Sequence, residues 1–408
     1  MMNISKINAF RAFKSRNYTL YFAGRAISQL GTWMQRTAVV WMVYTLTHSP
    51  FMLGVTIFAE QFPSFLLSAF AGVVADRYNR FKIIKITQIA SMIQATLLAV
   101  LIIYGHYRVW QILVLSVILG IINAFDITAR QTMINEVLED KNDLPNALSL
   151  NSATANLAKI IGPALSGIIL ESWGASVCFL INAASFGAVI LSFVFMNLPE
   201  YIPSHKKKNV MTELIEGFVY LKRTPAIGLV VLMLSFVSFL VLPFDTVLPV
   251  FAHKIFNGKA TTYGYINSFI GVGAVAGTIF LAFLKHGTNF RHILILATIV
   301  LGVGLICFSH TGIFSLAMIF AIVIGTGAVI QFTISNIIVQ SESADHMRGR
   351  AISILLMAMF GMLPLGSLLI GAVSQKIGAP NTMLCQGIAA IIISIVFYNL
   401  LKKINKKF

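Results

Sequence analysis

Charge is what this sequence has least of. Only 11% of its 408 residues are Asp, Glu, Lys or Arg, against about 25% in an ordinary soluble domain. So few charges cannot coat a soluble surface, and most of the chain is expected to face lipid or other helices. Cysteine is nearly as scarce. Cys178, Cys307 and Cys385 stand far apart in apolar runs, which argues against a disulfide framework and suits three small buried hydrophobes. No Gly-x-x-x-x-Gly-Lys-Ser/Thr run occurs, and no soluble stretch is long enough to hydrolyse nucleotide, so ATP-driven work by this chain alone is excluded. His-Glu-x-x-His and Cys-x-x-Cys are absent, and the eight histidines are scattered, mostly in loops. No metal site, cofactor or nucleophile triad is expected, and the chain does not read as an enzyme. The first residues lack a long apolar core followed by a small-residue cleavage site, so a cleaved signal peptide is not expected.

What is abundant is apolar: 57% of the chain. A spanning helix needs about 20 apolar residues. Reading apolar runs against their breakers gives twelve segments, at 17–46, 51–75, 81–104, 109–135, 146–171, 174–198, 225–252, 262–285, 290–309, 312–338, 350–375 and 379–401. The net charge of +16 does not point to nucleic acid, because the basic residues sit between apolar segments and in the tails. One set of loops holds Arg11, Lys14, Arg16, Arg77, Arg80, Lys82, Lys85, Lys206, Lys207, Lys208, Arg348, Arg350 and the last four lysines. The other set holds only Arg108, Lys254, Lys259 and Lys376. That asymmetry predicts both termini in the cytoplasm, which an even number of spans requires.

The longest polar interruption, Pro199 to Thr224, carries the Lys206–Lys208 run and an amphipathic stretch at Thr212–Lys222. It divides the chain into residues 1–198, a linker 199–224, and residues 225–408, each flanking part a six-helix bundle. The two parts look like diverged copies. From Asn135 the chain reads NEVLEDKNDLPNALSLNSATANLAKIIGPALSG, and from Gln340 QSESADHMRGRAISILLMAMFGMLPLGSLLIG. Each is a charged loop, then a span holding Pro163 or Pro364, ending at Trp173-Gly174 or Ile377-Gly378. Such repeats are a transporter architecture, with the site near the midplane between them. The expected fold is therefore all-α, with twelve spans in two pseudo-symmetric bundles.

A charge at mid-membrane costs about 2.5–3.5 kcal/mol, so one retained there is a functional candidate. Arg25, Gln29, Thr32 and Arg36 form one stripe at helical spacing in the first span. Ser116, Asn123, Asp126 and Arg130 form another in the fourth, and Ser152, Asn156 and Lys159 align with Pro163 in the fifth. The seventh span offers Ser235, Ser238 and Asp245, the tenth Gln331 and Ser335. Arg25, Gln29, Arg36, Asn123, Asn156, Lys159 and Gln331 are the candidates to line a substrate cavity. Glu60, Asp126 and Asp245 are the candidates to carry a proton, with Asp245 set between Pro243 and Pro249 in a broken stretch. Competing readings are snorkelling for Arg25 and Arg36, a structural pair between Asp126 and Lys159, and a surface carboxylate for Asp245. Glu171 and Lys254, near the outer ends, are expected to be simply solvated. Arg25, Arg36 and Lys159 match Glu60, Asp126 and Asp245 one for one, which leaves the charge of a substrate open.

Gly72 to Arg80 reads GVVADRYNR and resembles the loop signature of the major facilitator superfamily, Gly-x-x-x-Asp-Arg-x-x-Arg. Gly72 would allow close helix packing, Asp76 would cap or bridge a helix end, and Arg77 and Arg80 would hold the turn. Asn79, in place of the usual second glycine, would tolerate a left-handed turn. The matching loop KHGTNFR from Lys285 has no acidic residue. GPALSG, with Gly162, Pro163 and Gly167, resembles the Gly-Pro motif of antiporters in that superfamily. The wider resemblance covers nearly the whole chain: AISQLGTWMQ from Ala26, LTHSPFMLG from Leu46, FDITARQTMINEV from Phe125, NALSLNSATANLAKIIGPALSG from Asn146 and FLINAASF from Phe179. It is to bacterial exporters of the drug-efflux and enterobactin-exporter-like branch, the transmembrane secretion effectors. An Arg-rich signature frequent in the fourth span of drug antiporters is absent, and Arg130 lies near that span's inner end.

The resemblance implies a monomeric secondary transporter in the bacterial inner membrane. It would export a small molecule, a drug or a siderophore-like metabolite, in exchange for protons by alternating access, with spans 1, 4, 7 and 10 around the cavity. Its partners would be substrate, protons and the lipid bilayer, with no nucleic acid. The alternatives are an importer of a nutrient, or a non-transporting sensor, for which the chain offers no signalling domain.

Overall fold

The computed structural model describes residues 10–105, 107–196, 210–285 and 288–405. Among them every regular element is helical. The first six long helices are α1 (Arg16–Thr47), α2 (Pro50–Arg77), α3 (Arg80–Ile103), α4 (Val109–Val137), α5 (Leu144–Ser172) and α6 (Ala175–Val194). A connecting helix, α7 (Val210–Arg223), precedes α8 (Pro225–Leu240) and the single turn α9 (Leu248–Val250). Then come α10 (Ala260–Ala282), α11 (Phe290–Ser309), α12 (Phe314–Glu342), α13 (Arg348–Ile377) and α14 (Ala379–Asn405). Among the described residues, eleven of the twelve expected spans are long and apolar enough to cross a membrane. The exception is α1, which is 32 residues long but broken up by Arg25, Gln29 and Arg36.

Local chemistry sets the ends. His48, in the left-handed region at φ 48°, stops α1. One residue on, the Ser49 hydroxyl accepts from Met52 N while Pro50, which has no N–H to satisfy, opens α2. Asn79 is not left-handed, contrary to expectation. At φ −60° and ψ 114° it is the N-cap of α3, and its side chain accepts from Phe81 N and Lys82 N. Asn289 caps α11 in the same way, through Arg291 N and His292 N. The span expected at 225–252 is broken around Pro243 and Pro249, as expected: after Leu240 come a 3₁₀ stretch, Leu242–Val247, the turn α9 and a π stretch, Phe251–Ile255. Pro243 and Pro249 remove two backbone donors there, and Gln386 of α14 donates to the Val241 carbonyl at 3.2 Å.

The two sets of six pack alike. α1 lies on α5 and α6, α2 on α4, and α3 on α4 and α6; α8 lies on α13 and α14, α10 on α12, and α11 on α12 and α14. Between the sets, α5 packs on α10 and α2 on α13. Gly174 and Gly378, at matching turns, share φ near 80° (82° and 81°), a conformation that favours glycine. Helix α7 docks on α8 and α13, where Arg350 pairs with Glu216 at 2.7 Å and the Tyr220 hydroxyl accepts from Ala344 N at 3.0 Å. Lys206–Lys208 lie outside the described residues.

The helices define two ends, one carrying His48 and one carrying Arg77. The halves meet at the His48 end. There the backbones touch through glycine: a Cβ on Gly371 would come within 2.7 Å of the Pro50 carbonyl, and one on Gly54 would collide with the Ser367 carbonyl. Toward the Arg77 end the halves part. From Phe62 to Val74, α2 is half-buried or exposed on every side except at Ala71. Gly72 therefore does not serve helix packing here: a Cβ on it would meet nothing within 4 Å.

Candidate functional site

Where the halves begin to part, ionisable side chains from both converge. The local cause is Gly162. A Cβ there would stand 2.6 Å from Trp33 Cβ, so only glycine lets α5 press on α1. One turn earlier on α5, Lys159 lays its Nζ 5.5 Å from the centre of the Trp33 ring, and Arg36, one turn later on α1, sets its guanidinium 5.4 Å from the same centre. Two cations on one indole repel each other, and the ring's negative faces offset part of that cost. Arg36 also reaches Glu60 of α2, Nε to Oε2 at 3.8 Å.

The other half contributes Asp245 from the 3₁₀ stretch. It lies within electrostatic reach of Arg36, Lys159 and Glu60. Its Oδ1 is buried and has no hydrogen-bond partner. A buried carboxylate oxygen without a donor is costly, and it is an acceptor waiting for a proton or a ligand donor. Tyr263 of α10 flanks Asp245 and Arg36 and stacks on Trp41 at 5.9 Å. Lys159 stays open to solvent although protein surrounds it, as befits a cavity wall. The cluster holds two cations and two anions, so a ligand of either sign can find an opposite charge in it.

A second ionic group belongs to the first half alone. Asp126 pairs with Arg130 at 2.6 Å and accepts from Thr87 Oγ1 at 2.8 Å and Gln88 Nε2 at 2.9 Å. Arg130 continues to Tyr21, whose hydroxyl accepts from Arg25 Nη1 at 2.5 Å. Asp126 is thus saturated, and its partner is Arg130 on its own helix, not Lys159. Arg25 and Gln29 flank this group with one unpartnered buried atom each. Asn123 and Asn156 are half-buried, and neither joins the cluster around Trp33. Gln331 is wholly buried, with neither amide atom bonded, so it lines no open cavity in this arrangement.

The motif residues divide as well. Gly167 lets α10 in, since a Cβ there would lie 2.7 Å from the Ala260 carbonyl, and the Pro163 carbonyl sits against Gly264. Ser268 donates to the Ile160 carbonyl at 2.5 Å on the same seam. In the loop after α2, Arg80 donates to the Ala75 carbonyl at 3.3 Å and pairs with Glu136, while Arg77 is exposed and the Asp76 side chain lies outside the described residues. Glu171 is not merely solvated: it bonds Lys259 at 3.3 Å and Thr261 across the halves.

Four groups were missed by residue patterning: Trp33, Tyr21, Tyr263 and a buried amide triad. In the triad, Gln35 donates to Gln94 at 2.9 Å and accepts from Asn182 at 2.7 Å. Trp33 was legible in part, three residues from Arg36 and so on its face. The triad draws on three helices, and no spacing within one helix announces it.

Comparison with known proteins agrees with this architecture. Residues 7–407 match the family described as transmembrane secretion effector. The staphyloferrin A transporter of Staphylococcus aureus is 26% identical over 395 residues, spanning 95% of this chain and 97% of that protein. The multidrug efflux pump Tap of Mycolicibacterium fortuitum is 23% identical over 370 residues, spanning 88% and 89%. A crystal structure of the nucleoside transporter NupG has a TM-score of 0.79 at 13% identity, covering 94% of this chain and 98% of that one, and so shares the fold. A match across nearly the whole chain, on an all-helical scaffold of membrane spans, makes this protein a membrane transporter and not an enzyme: it belongs to the transmembrane secretion effector family of the major facilitator superfamily.

Proposed function

We propose that this transporter exports a small molecule across a bacterial inner membrane by alternating access, in exchange for protons, as a monomer. Residues 1–198 and 225–408 act as the two moving bundles, joined by the linker 199–224. The Arg77 end faces the cytoplasm, on the Lys and Arg asymmetry of the loops, which makes the parted arrangement the one that loads substrate from inside. The reading rests above all on the cluster of Arg36, Glu60, Lys159 and Asp245, which draws charges from both halves to the depth where they part. Closing one end and opening the other must change the distances within such a cluster, so binding there biases the two states.

Protonation of a carboxylate in the cluster releases its cation, and substrate competes for the site so vacated. Glu60 and Asp245 stand first for this role. Asp126, its oxygens engaged by three partners within one half, stands behind them. Arg36 and Lys159 over Trp33 offer an anionic or aromatic substrate a seat, and Glu60 and Asp245 offer one to a cation. Relatives named for a siderophore and for multidrug efflux support both substrate classes.

The test is uphill efflux in inverted vesicles with a panel of siderophores and dyes. Asp245→Asn or Glu60→Gln should abolish uphill transport yet keep downhill counterflow, because coupling is lost and binding kept. A protonophore should stop the wild type. Continued pumping by Glu60→Gln, Asp126→Asn and Asp245→Asn, with no effect of the protonophore, would rule out proton exchange.

A further inference from the structure

Away from the charged cluster, an apolar groove of about 930 Å³ lies between α7, α8, α13 and α14, closed on one side by Phe65 of α2. We propose that it binds an anionic phospholipid, with an acyl chain along the groove and the headgroup at Lys222 and Lys403.

Three observations carry this. The first is length. Along α8 the groove runs from Pro225 to Ser235, and along α13 from Ile354 to Leu365. At a rise of about 1.5 Å per residue each is roughly 15 Å, half of a hydrocarbon core about 30 Å thick. The groove is one leaflet deep. The second is composition. Phe218, Leu232, Leu365 and Leu400 line it and remain exposed, and the polar groups among its walls are Ser235 at the deep end and the two lysines at the other. The Ser235 hydroxyl is already bonded to the Val231 carbonyl at 2.9 Å. The third is charge. Lys222 lies in the last turn of α7, the amphipathic connector, and Lys403 stands near the end of α14. Both are exposed and belong to no ion pair among those described. Basic residues at the rim of an interhelical pocket suit an anionic headgroup, and the apolar trough below suits its chain. A transported solute would have no reason to meet a one-leaflet trough with cations only at the surface.

The site also has a mechanical setting. Gly217 of α7 packs on Ile354 and Arg350 of α13, so the occupied groove would fasten the connector to the second half while Phe65 closes it from the first.

The full-length protein, purified from mixed vesicles of phosphatidylglycerol and phosphatidylcholine, can be examined by native mass spectrometry for retained lipid. Wild type should keep phosphatidylglycerol in preference. Lys222→Gln with Lys403→Gln, two exposed changes that leave the core intact, should lose that preference by about fivefold per lysine while phosphatidylcholine retention stays the same. Ser235→Phe, which fills the deep end, should lower retention of both lipids. Equal retention of the two lipids by wild type would overturn the proposal, as would an unchanged preference in the double lysine variant. Retention unaffected by Ser235→Phe, or a dimer that Ser235→Phe dissolves, would overturn it too, the latter by giving the groove to a second copy of this chain. None of these readouts depends on transport, so their failure leaves the proposed export untouched.

Discussion

The two ends of the molecule are held by different chemistry. At the His48 end the halves are joined to each other. Trp41 stacks on Tyr263, His253 packs against Trp41, Tyr44 and His48 with ring centres 5.7–6.3 Å apart, and Ser49 bonds Gln375 at 2.9 Å. At the Arg77 end the ion pairs stay inside each half: Arg80 with Glu136, and Arg291 with Glu342 at 2.7 Å. These two pairs occupy equivalent places, tying the start of α3 to the end of α4, and the start of α11 to the end of α12. The lesson is a division of labour. Charges make each half rigid where the halves are apart, and close, mostly apolar contact makes a reversible seam where they meet. Such a seam suits motion, because apolar packing can be undone without stranding buried ions, and the ion pair that crosses it, Glu171 with Lys259, is already wet.

Removing the seam's largest side chain should have the greatest effect. Trp41→Ala deletes a ring that is 8% exposed and touches both halves, at a cost of about 3–5 kcal/mol. Thermal unfolding should fall accordingly. A cysteine placed at Ala260, 4% exposed where α10 packs on Gly167 of α5 across the seam, should become reactive to an impermeant maleimide when exposed Cys385 is first replaced by Ser. A stable, closed Trp41→Ala protein would mean the aromatic contacts do not hold the end shut.

Next comes a pair of glycines on one helix. Gly54→Val must push α2 off the Ser367 carbonyl, costing about 1–3 kcal/mol and raising Ala260→Cys labelling at least several-fold. Gly72→Val, with empty space around it, should leave unfolding within about 0.5 kcal/mol of wild type. Its transport should still fall if Gly72 packs only when the Arg77 end closes. Equal effects of the two valines on labelling would erase the distinction between the ends.

Smaller losses are expected from Arg80→Gln and Arg291→Gln, each about 1 kcal/mol for a partly exposed pair. Both should lower the unfolding temperature alike and leave Ala260→Cys labelling unchanged, since each pair lies within one half. A labelling change in either would mean that the pair also governs the seam. The smallest effect belongs to Glu171→Gln. Its bonds to Lys259 and Thr261 cross the halves but are wet, so labelling should rise slightly at low salt and not at all at high salt.

Much of the fold was legible because apolar runs and their breakers are local. Expected and observed span limits differ by a few residues, and Pro243 and Pro249 announced the broken stretch. Rotation and partnership were not legible. Depth alone placed Asp126 and Lys159 within reach of each other, but Asp126 turns to Arg130 and Lys159 turns to Trp33. Glu171 looked solvated because its partners sit some 90 residues away, on the far side of the seam. Asn79 suggested a left-handed turn by residue type, whereas its side chain found two free N–H groups at the start of α3.

Helix α1 has a consequence for how the protein is made. It precedes α2 to α14, so it leaves the ribosome before them, yet among the described residues it is the long helix that falls short of the apolarity of a spanning segment. Its polar groups find their partners on segments synthesised later: Gln35 on α3 and α6, Arg36 on α2, Arg25 on a chain of bonds reaching α4. Membrane insertion of α1 is therefore expected to be assisted by the helices that follow it, with the first span lingering near the translocon until its polar partners arrive.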